Sequence, residues 1–242
     1  MSHQTDRTFS ETPPSPVNPI DHVPSWLSLW MPIAVMIIVW AIGKIDLDFY
    51  QTYIGTESGV LEFSHIVLPL LSAYVCIRIL SMPAAREDRL VFAWVVLALV
   101  GSIYMAGEEA SWGQHIGGWL TPDFWQGIND QGETNLHNTS SWLDQKPRTL
   151  LEIGIIVGVI IIPLLALKYP QIRSGRFAVF LPPMACLPIG VLAEFSRVWE
   201  RLYKHDIIHF EVFVRASELQ EFYFSLFIFV YLLVFQQRIA AR

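Results

Sequence analysis

The sequence predicts an all-α membrane protein of about six transmembrane helices, with a structured, polar and tryptophan-rich loop between the third and fourth. Three observations carry this. The 242 residues are 53% hydrophobic and only 16% charged, with a mean hydropathy of +0.41, outside the range of soluble globular chains. Apolar runs close to the twenty or so residues that cross a bilayer as a helix recur along the chain. Ten-residue segments of alternating hydrophobicity, the mark of a membrane β-barrel, do not occur.

Residues 1–25 read as a disordered tail, with Pro13, Pro14, Pro16, Pro19 and Pro24 set among Ser, Thr and acidic residues. The tail lacks the basic segment and small-residue cleavage site of a signal peptide, so the first span is expected to stay as an anchor. Residues 26–242 then form one membrane domain, with spans at 26–43, 59–80, 90–107, 150–167, 177–195 and 221–236 and an outer loop at 107–148. The second span carries Glu62, His65 and Arg78. The fifth carries Pro182, Pro183 and Pro188, which should kink or interrupt it. Cys76 and Cys186 fall inside spans and read as small buried hydrophobes.

An even number of spans puts both termini on one side. That side holds Arg7, Arg78, Arg86, Arg89, Lys168, Arg173, Arg176, Arg238 and Arg242, nine cations against five acids, while the other side holds seven cations and seventeen acids. The short loops 81–89 and 168–176 are basic, so by the positive-inside rule both termini are expected in the cytoplasm. The loop at 107–148 then faces the cell exterior or periplasm, where there is no ATP supply. A kinase or ATPase is disfavoured there, and no Walker or dinucleotide glycine pattern occurs. The lipid bilayer is the expected partner, and no nucleic-acid partner is expected.

Carboxylates and histidines gather at the expected outer level. Glu62 and His65 form an E-x-x-H step, which places both side chains on one helix face and supplies metal ligands in carboxylate bundles. Glu108 and Glu109 follow the third span, Glu152 opens the fourth, Glu194 closes the fifth, and Glu218 and Glu221 open the sixth. Glu108 and His115 would share a face if the third span continued, as would Glu133 and His137, or His205 and His209, if their segments were helical. Mixed His and carboxylate sets suit divalent zinc, iron or manganese, and the candidate metal ligands are Glu62, His65, Glu108 and His137.

In an extended segment, Asn129, Gln131, Glu133, Asn135 and His137 would line one face. Amides, a carboxylate and an imidazole beside Trp112, Trp119 and Trp125 suit a sugar or polar headgroup. They equally suit a loop that folds over the bundle and bonds free backbone groups. Further on, Ile207 to Val214 alternate as a short strand or interfacial segment. Arg197, Arg201 and Lys204 form a basic stripe, which either meets lipid phosphate or pairs with Glu194 and Glu200.

The motifs Glu108-Glu109-Ala110-Ser111-Trp112-Gly113-Gln114 and Asn129-x-Gln131-x-Glu133-x-Asn135-Leu136-His137-Asn138 resemble those of an uncharacterised family of bacterial polytopic membrane proteins. The resemblance implies a bacterial inner-membrane address and brings no catalytic assignment with it. The multi-histidine zinc pattern of ceramidase-like membrane hydrolases is not matched.

Three functions compete. The first is an enzyme acting on a lipid or lipid-linked glycan, with Glu108, Glu109, Glu133 and His137 as catalytic candidates and Trp112, Gln114, Gln131, Asn135 and Asn138 positioning substrate. The second is a non-enzymatic membrane-complex subunit or partner-binding protein. The third is a transporter, against which the lack of mid-membrane charge counts. Orientation is testable directly. An alkaline-phosphatase fusion after Ile128 is expected to be active and a green-fluorescent-protein fusion after Arg242 fluorescent; the opposite pattern would invert the topology.

Overall fold

The computed structural model describes residues 21–56, 59–129, 132–136 and 139–242. Gln131, His137 and Asn138 lie outside the described residues, as do residues 1–20 of the tail, and the side chain of His115 is likewise not described. Six helices are long and apolar enough to cross a membrane: α1 (Trp26–Ile45), α2 (Val60–Leu80), α3 (Arg89–Glu109), α4 (Lys146–Lys168), α5 (Phe177–Lys204) and α6 (Ala216–Ala240). No strand occurs among the described residues, and the protein is an all-α membrane protein.

The bundle is organised around its last helix. In α6 the sequence FYFSLFIFVYLLVF is apolar on every side, and such a helix has to be surrounded. Inside the protein 72% of the apolar window of α6 is buried, against 22–39% for the other five. Those five therefore turn much of their apolar surface outward, towards lipid. The most extensive packing pairs α2 with α3, α6 with α2 and α5 with α6. Buried hydroxyls on α6 find partners on other elements, as buried polar groups must. Tyr223 donates to the carbonyl of Pro32 at 2.8 Å, and Tyr231 donates to that of Phe180 at 3.0 Å while accepting from the Trp94 indole at 2.9 Å.

Asp21 and His22, the first described residues, meet the C-terminal turns of α6 at one end of the bundle. Arg238 on α6 holds Asp21 through two bonds of 2.8 and 2.6 Å and also donates to the carbonyls of Val179 and Leu181. Gln237 exchanges two hydrogen bonds with the backbone of His22. Cys76 and Cys186 are free thiols, both buried.

Several local expectations change. The prolines interrupt the fifth span, the second of the two outcomes expected of them. Residues 176–186 pass through two short 3-10 turns, and regular α-helix begins at Leu187, with Pro188 in the first turn, where a missing N–H costs nothing. This helix runs on to Lys204 rather than stopping near residue 195, because ion pairs hold its last turns. Arg197 and Lys204 pair with Glu200, and Arg201 pairs with Glu152. The basic stripe is thus neutralised within the protein. Residues 207–214 form bends and turns, not a strand, between left-handed residues at Asp206 (φ 56°) and Arg215 (φ 48°). His205 and His209 fall beyond the helix end and do not share a helical face. The last span starts at Ala216, which places Glu218 and Glu221 inside its opening turns.

Asp88 caps α3 by accepting from the N–H groups of Leu90 (3.0 Å) and Val91 (3.3 Å), and it also accepts from Arg242 at 3.2 Å. The Val91 N–H foremost, with Leu90 and Arg242, holds this carboxyl below the ordinary aspartate value against some desolvation. A lowered folded-state value means that the capping contribution is present above the unfolded value and is lost as pH falls through the folded one. Asp88→Ala is therefore expected to lower the melting temperature at pH 7, and the gap from wild type should narrow at pH 3; a gap that widens on acidification would contradict the cap.

Candidate functional site

Two polar assemblies occupy the end of the bundle opposite Asp21 and Arg238, and they meet at the end of α3. Glu108 and Glu109 are neighbours in sequence, yet their side chains serve different assemblies.

Glu108 belongs to a clasp built from the two halves of the loop. After Glu109 the chain leaves the helix through three consecutive positive-φ residues, Ser111 (45°), Trp112 (52°) and Gly113 (99°). Only glycine adopts this conformation freely, so the first two must be held there. The hold is Glu108, only 3% exposed. Its Oε1 accepts from the Trp112 indole at 2.7 Å and its Oε2 from the backbone N–H of Leu136 at 2.6 Å. Gly107 admits the folded-back ring, since a Cβ there would lie 2.8–3.0 Å from Trp112 ring atoms.

The remaining loop amides lock onto the same frame. Ser111 donates to Glu133 at 2.8 Å, and Asn135 donates to Glu133 at 2.6 Å and to Ser111 at 3.1 Å. Asn129 donates to the backbone and side-chain oxygens of Asn135 at 2.9 and 2.8 Å and accepts from the N–H of Glu133 at 3.0 Å. Gln114 accepts from the N–H of Thr134 at 2.8 Å and donates to Thr121 at 2.7 Å. Asn129, Glu133 and Asn135 thus converge by folding through bends and a left-handed Gly132, not by lying along an extended strand. Glu108 and His115 do not sit on one continuous helix, because α3 ends between them. Outside the clasp, Trp112, Trp119, Trp125, Thr134 and Leu136 line an open groove of about 460 Å³.

Glu109 belongs to the second assembly, which is centred on His65. This imidazole lies in the second turn of α2 and is 2% exposed. Its Nε2 is 3.0 Å from the backbone carbonyl of Glu218; a carbonyl only accepts, so Nε2 carries the proton and donates. Nδ1 therefore faces the other way, towards three carboxylates from three helices: Glu109 of α3 at 3.6 Å, Glu221 of α6 at 3.8 Å and Glu62 of α2 at 3.9 Å. Donor atoms of Glu62, His65 and Glu109, and likewise of His65, Glu218 and Glu221, lie within 4.8 Å of one another. These are the residues that could hold a metal ion. Glu108, named with Glu62 and His65 from the sequence, is bonded into the clasp instead.

Two arginines flank this centre. Arg148, near the start of α4, pairs with Glu221. Arg215 bridges the carbonyl of Gly55 and, at 2.9 Å, the carboxylate of Glu218. Close by, burial pushes the Tyr50 hydroxyl up to about 12 against the pull of Arg215, so it stays protonated and donates to the carbonyl of Val214 at 2.8 Å. Sequence reasoning placed Glu218 and Glu221 at this level without joining them to the site, and it did not single out Arg148 or Arg215. The available signal was the i, i+3 step Glu218-x-x-Glu221, which repeats Glu62-x-x-His65 at the start of another span.

Fold and site together define a six-span helical membrane protein with a buried histidine–carboxylate centre beneath a hydrogen-bonded loop. No protein-family model, curated protein or solved structure matches the chain. The clasp can be tested separately from the centre. Glu108→Ala leaves the Trp112 indole and the Leu136 N–H without this acceptor, and a hydrogen bond to a charged group contributes about 1.5–3 kcal/mol. The expected result is a lower unfolding midpoint with altered tryptophan fluorescence; an unchanged midpoint would show that the clasp does not hold the loop.

Proposed function

We propose that this protein is an integral membrane enzyme that carries out hydrolysis or group transfer on a lipid or lipid-linked glycan at the outer face of a bacterial inner membrane, with both termini in the cytoplasm. The observation that carries the proposal is the convergence of Glu62, Glu109 and Glu221, from three helices, on a buried imidazole. Ionisable groups inside a spanning bundle are costly and are kept where they act. Glu109 serves as general base, with His65 orienting and stabilising the charge that develops. The tryptophan-lined groove offers an aromatic wall on which a sugar or headgroup can rest while its lipid portion stays in the bilayer. Glu108, Glu133, Gln114, Asn135 and Trp112 support that wall through the clasp, and His137, Gln131 and Asn138 belong to the same loop. The address rests on the basic short loops 81–89 and 168–176.

A non-enzymatic subunit or partner-binding protein is the alternative, favoured by the number of loop amides that bond within the clasp. A transporter is less well supported: His65 lies five residues into α2, roughly 8 Å from its start at 1.5 Å per residue and far from the bilayer centre. The test is lipid turnover. Protein reconstituted in vesicles of bacterial lipid extract containing lipid-linked glycans is expected to produce a new lipid species by mass spectrometry. Glu109→Gln should reduce its rate about 100-fold or more, the scale of a lost general base. Absence of any product, or equal rates for both proteins, would favour the subunit.

A further inference from the structure

We propose that Glu62, His65 and Glu109 bind one divalent first-row cation of the manganese or ferrous-iron class, with Glu221 facing the same imidazole nitrogen. The inference goes beyond catalysis and does not depend on it, because a bound ion could equally serve a subunit.

Four observations point to the ion. His65 is nearly fully buried, and its Nδ1 makes no hydrogen bond. Were it an imidazolium satisfied by one carboxylate, the charge-assisted bond would close to about 2.7–2.9 Å; instead three carboxylates stand off at 3.6, 3.8 and 3.9 Å. That spacing suits ligands of a shared ion. Bonds of about 2.1 Å at tetrahedral or octahedral angles separate donor atoms by roughly 3.0–3.4 Å, so a modest approach of Glu62 and Glu109 to Nδ1 brings this triad to ligand spacing.

The tautomer is the second observation. With Nε2–H donating to the Glu218 carbonyl, neutral His65 presents the Nδ1 lone pair to the carboxylates, and metal-bound histidines commonly give their other N–H to a carbonyl in this way. Charge is the third. The carboxylates of Glu62, Glu109 and Glu221 surround one buried imidazole nitrogen, an anionic setting that favours a cation. Sequence spacing is the fourth. Glu62-x-x-His65 and Glu218-x-x-Glu221 each bring two donors to one helix face, and the packing of α2 against α3 and α6 makes those faces meet.

The donor set selects the ion. One imidazole nitrogen with two or three carboxylates and no thiolate is richer in oxygen than most zinc sites, and the imidazole is foreign to calcium and magnesium cages. Manganese and ferrous iron accept this mixture.

The experiment uses full-length protein in detergent, stripped with chelator and titrated with Mn2+. One ion per chain is expected, with a pulsed-EPR modulation from a directly bound 14N nucleus. In His65→Gln the nitrogen modulation should vanish. In the near-isosteric Glu109→Gln and Glu62→Gln, checked for helix content and monodispersity, affinity should fall about 100-fold or more, since even a lost outer-shell partner costs roughly 10–100-fold. Glu133→Gln, in the clasp, should bind Mn2+ like wild type. Failure of wild type to bind micromolar Mn2+, binding without nitrogen modulation, or unchanged affinity in both glutamine variants would overturn the proposal. Lipid turnover is read separately: an ion bound without turnover keeps this site and removes the enzyme, and turnover by protein shown to bind no ion does the reverse.

Discussion

The contact between His65 and the backbone carbonyl of Glu218 is the constraint on which the polar end of this protein depends. It joins the second turn of α2 to the first turn of α6, the helix around which the others pack. With Nε2 committed there, the ring has one orientation and Nδ1 one direction. Glu62 arrives from the same helix face, Glu221 from the facing turn of α6 and Glu109 from the last turn of α3. A slip of one residue between α2 and α6 would turn these donors away from one another by about 100° of helix rotation.

Placing this much charge inside a helical bundle is costly unless each group has a partner. The partners come from outside the three helices that make the centre. Arg148 enters from α4, and Arg215 from the segment ahead of α6. Arg215 holds a left-handed conformation that a non-glycine residue adopts at some cost, and it uses that conformation to span Gly55 and Glu218. The connector between α1 and α2 is thereby tied to the charged centre, with the buried Tyr50 hydroxyl beside it donating to Val214.

Glu108 and Glu109 show how a helix end divides its work. Side chains at successive helical positions point about 100° apart. Glu109 therefore reaches inward to His65 while Glu108 reaches up to Trp112 and Leu136. The loop clasp and the buried centre are adjacent through the single peptide bond between Glu108 and Glu109. This link gives the acidic pair two roles that its sequence alone does not distinguish.

Class and span number were legible in the sequence because crossing a bilayer demands length and apolarity, and both are local properties of the chain. Glu62 and His65 stood out for the same reason, as charge inside a span. The loop was legible as a polar cluster but not as a clasp: its amides, Glu108 and Glu133 look alike whether they bind a ligand or one another, and the left-handed turn at Ser111 and Trp112 that folds the clasp has no marker beyond Gly113. Helix ends beyond Phe195 and before Glu221 were misplaced because ion pairs with Glu152 and Glu200 extend one helix, and the charged first turn of the other hid it from a hydropathy reading. By itself the sequence determined that six helices cross a membrane and that a set of carboxylates and histidines sits near one end of them. Only the tertiary structure decided which of those charges face one another, because convergence depends on the rotation and register of α2, α3 and α6, and no single helix encodes its orientation against the other two.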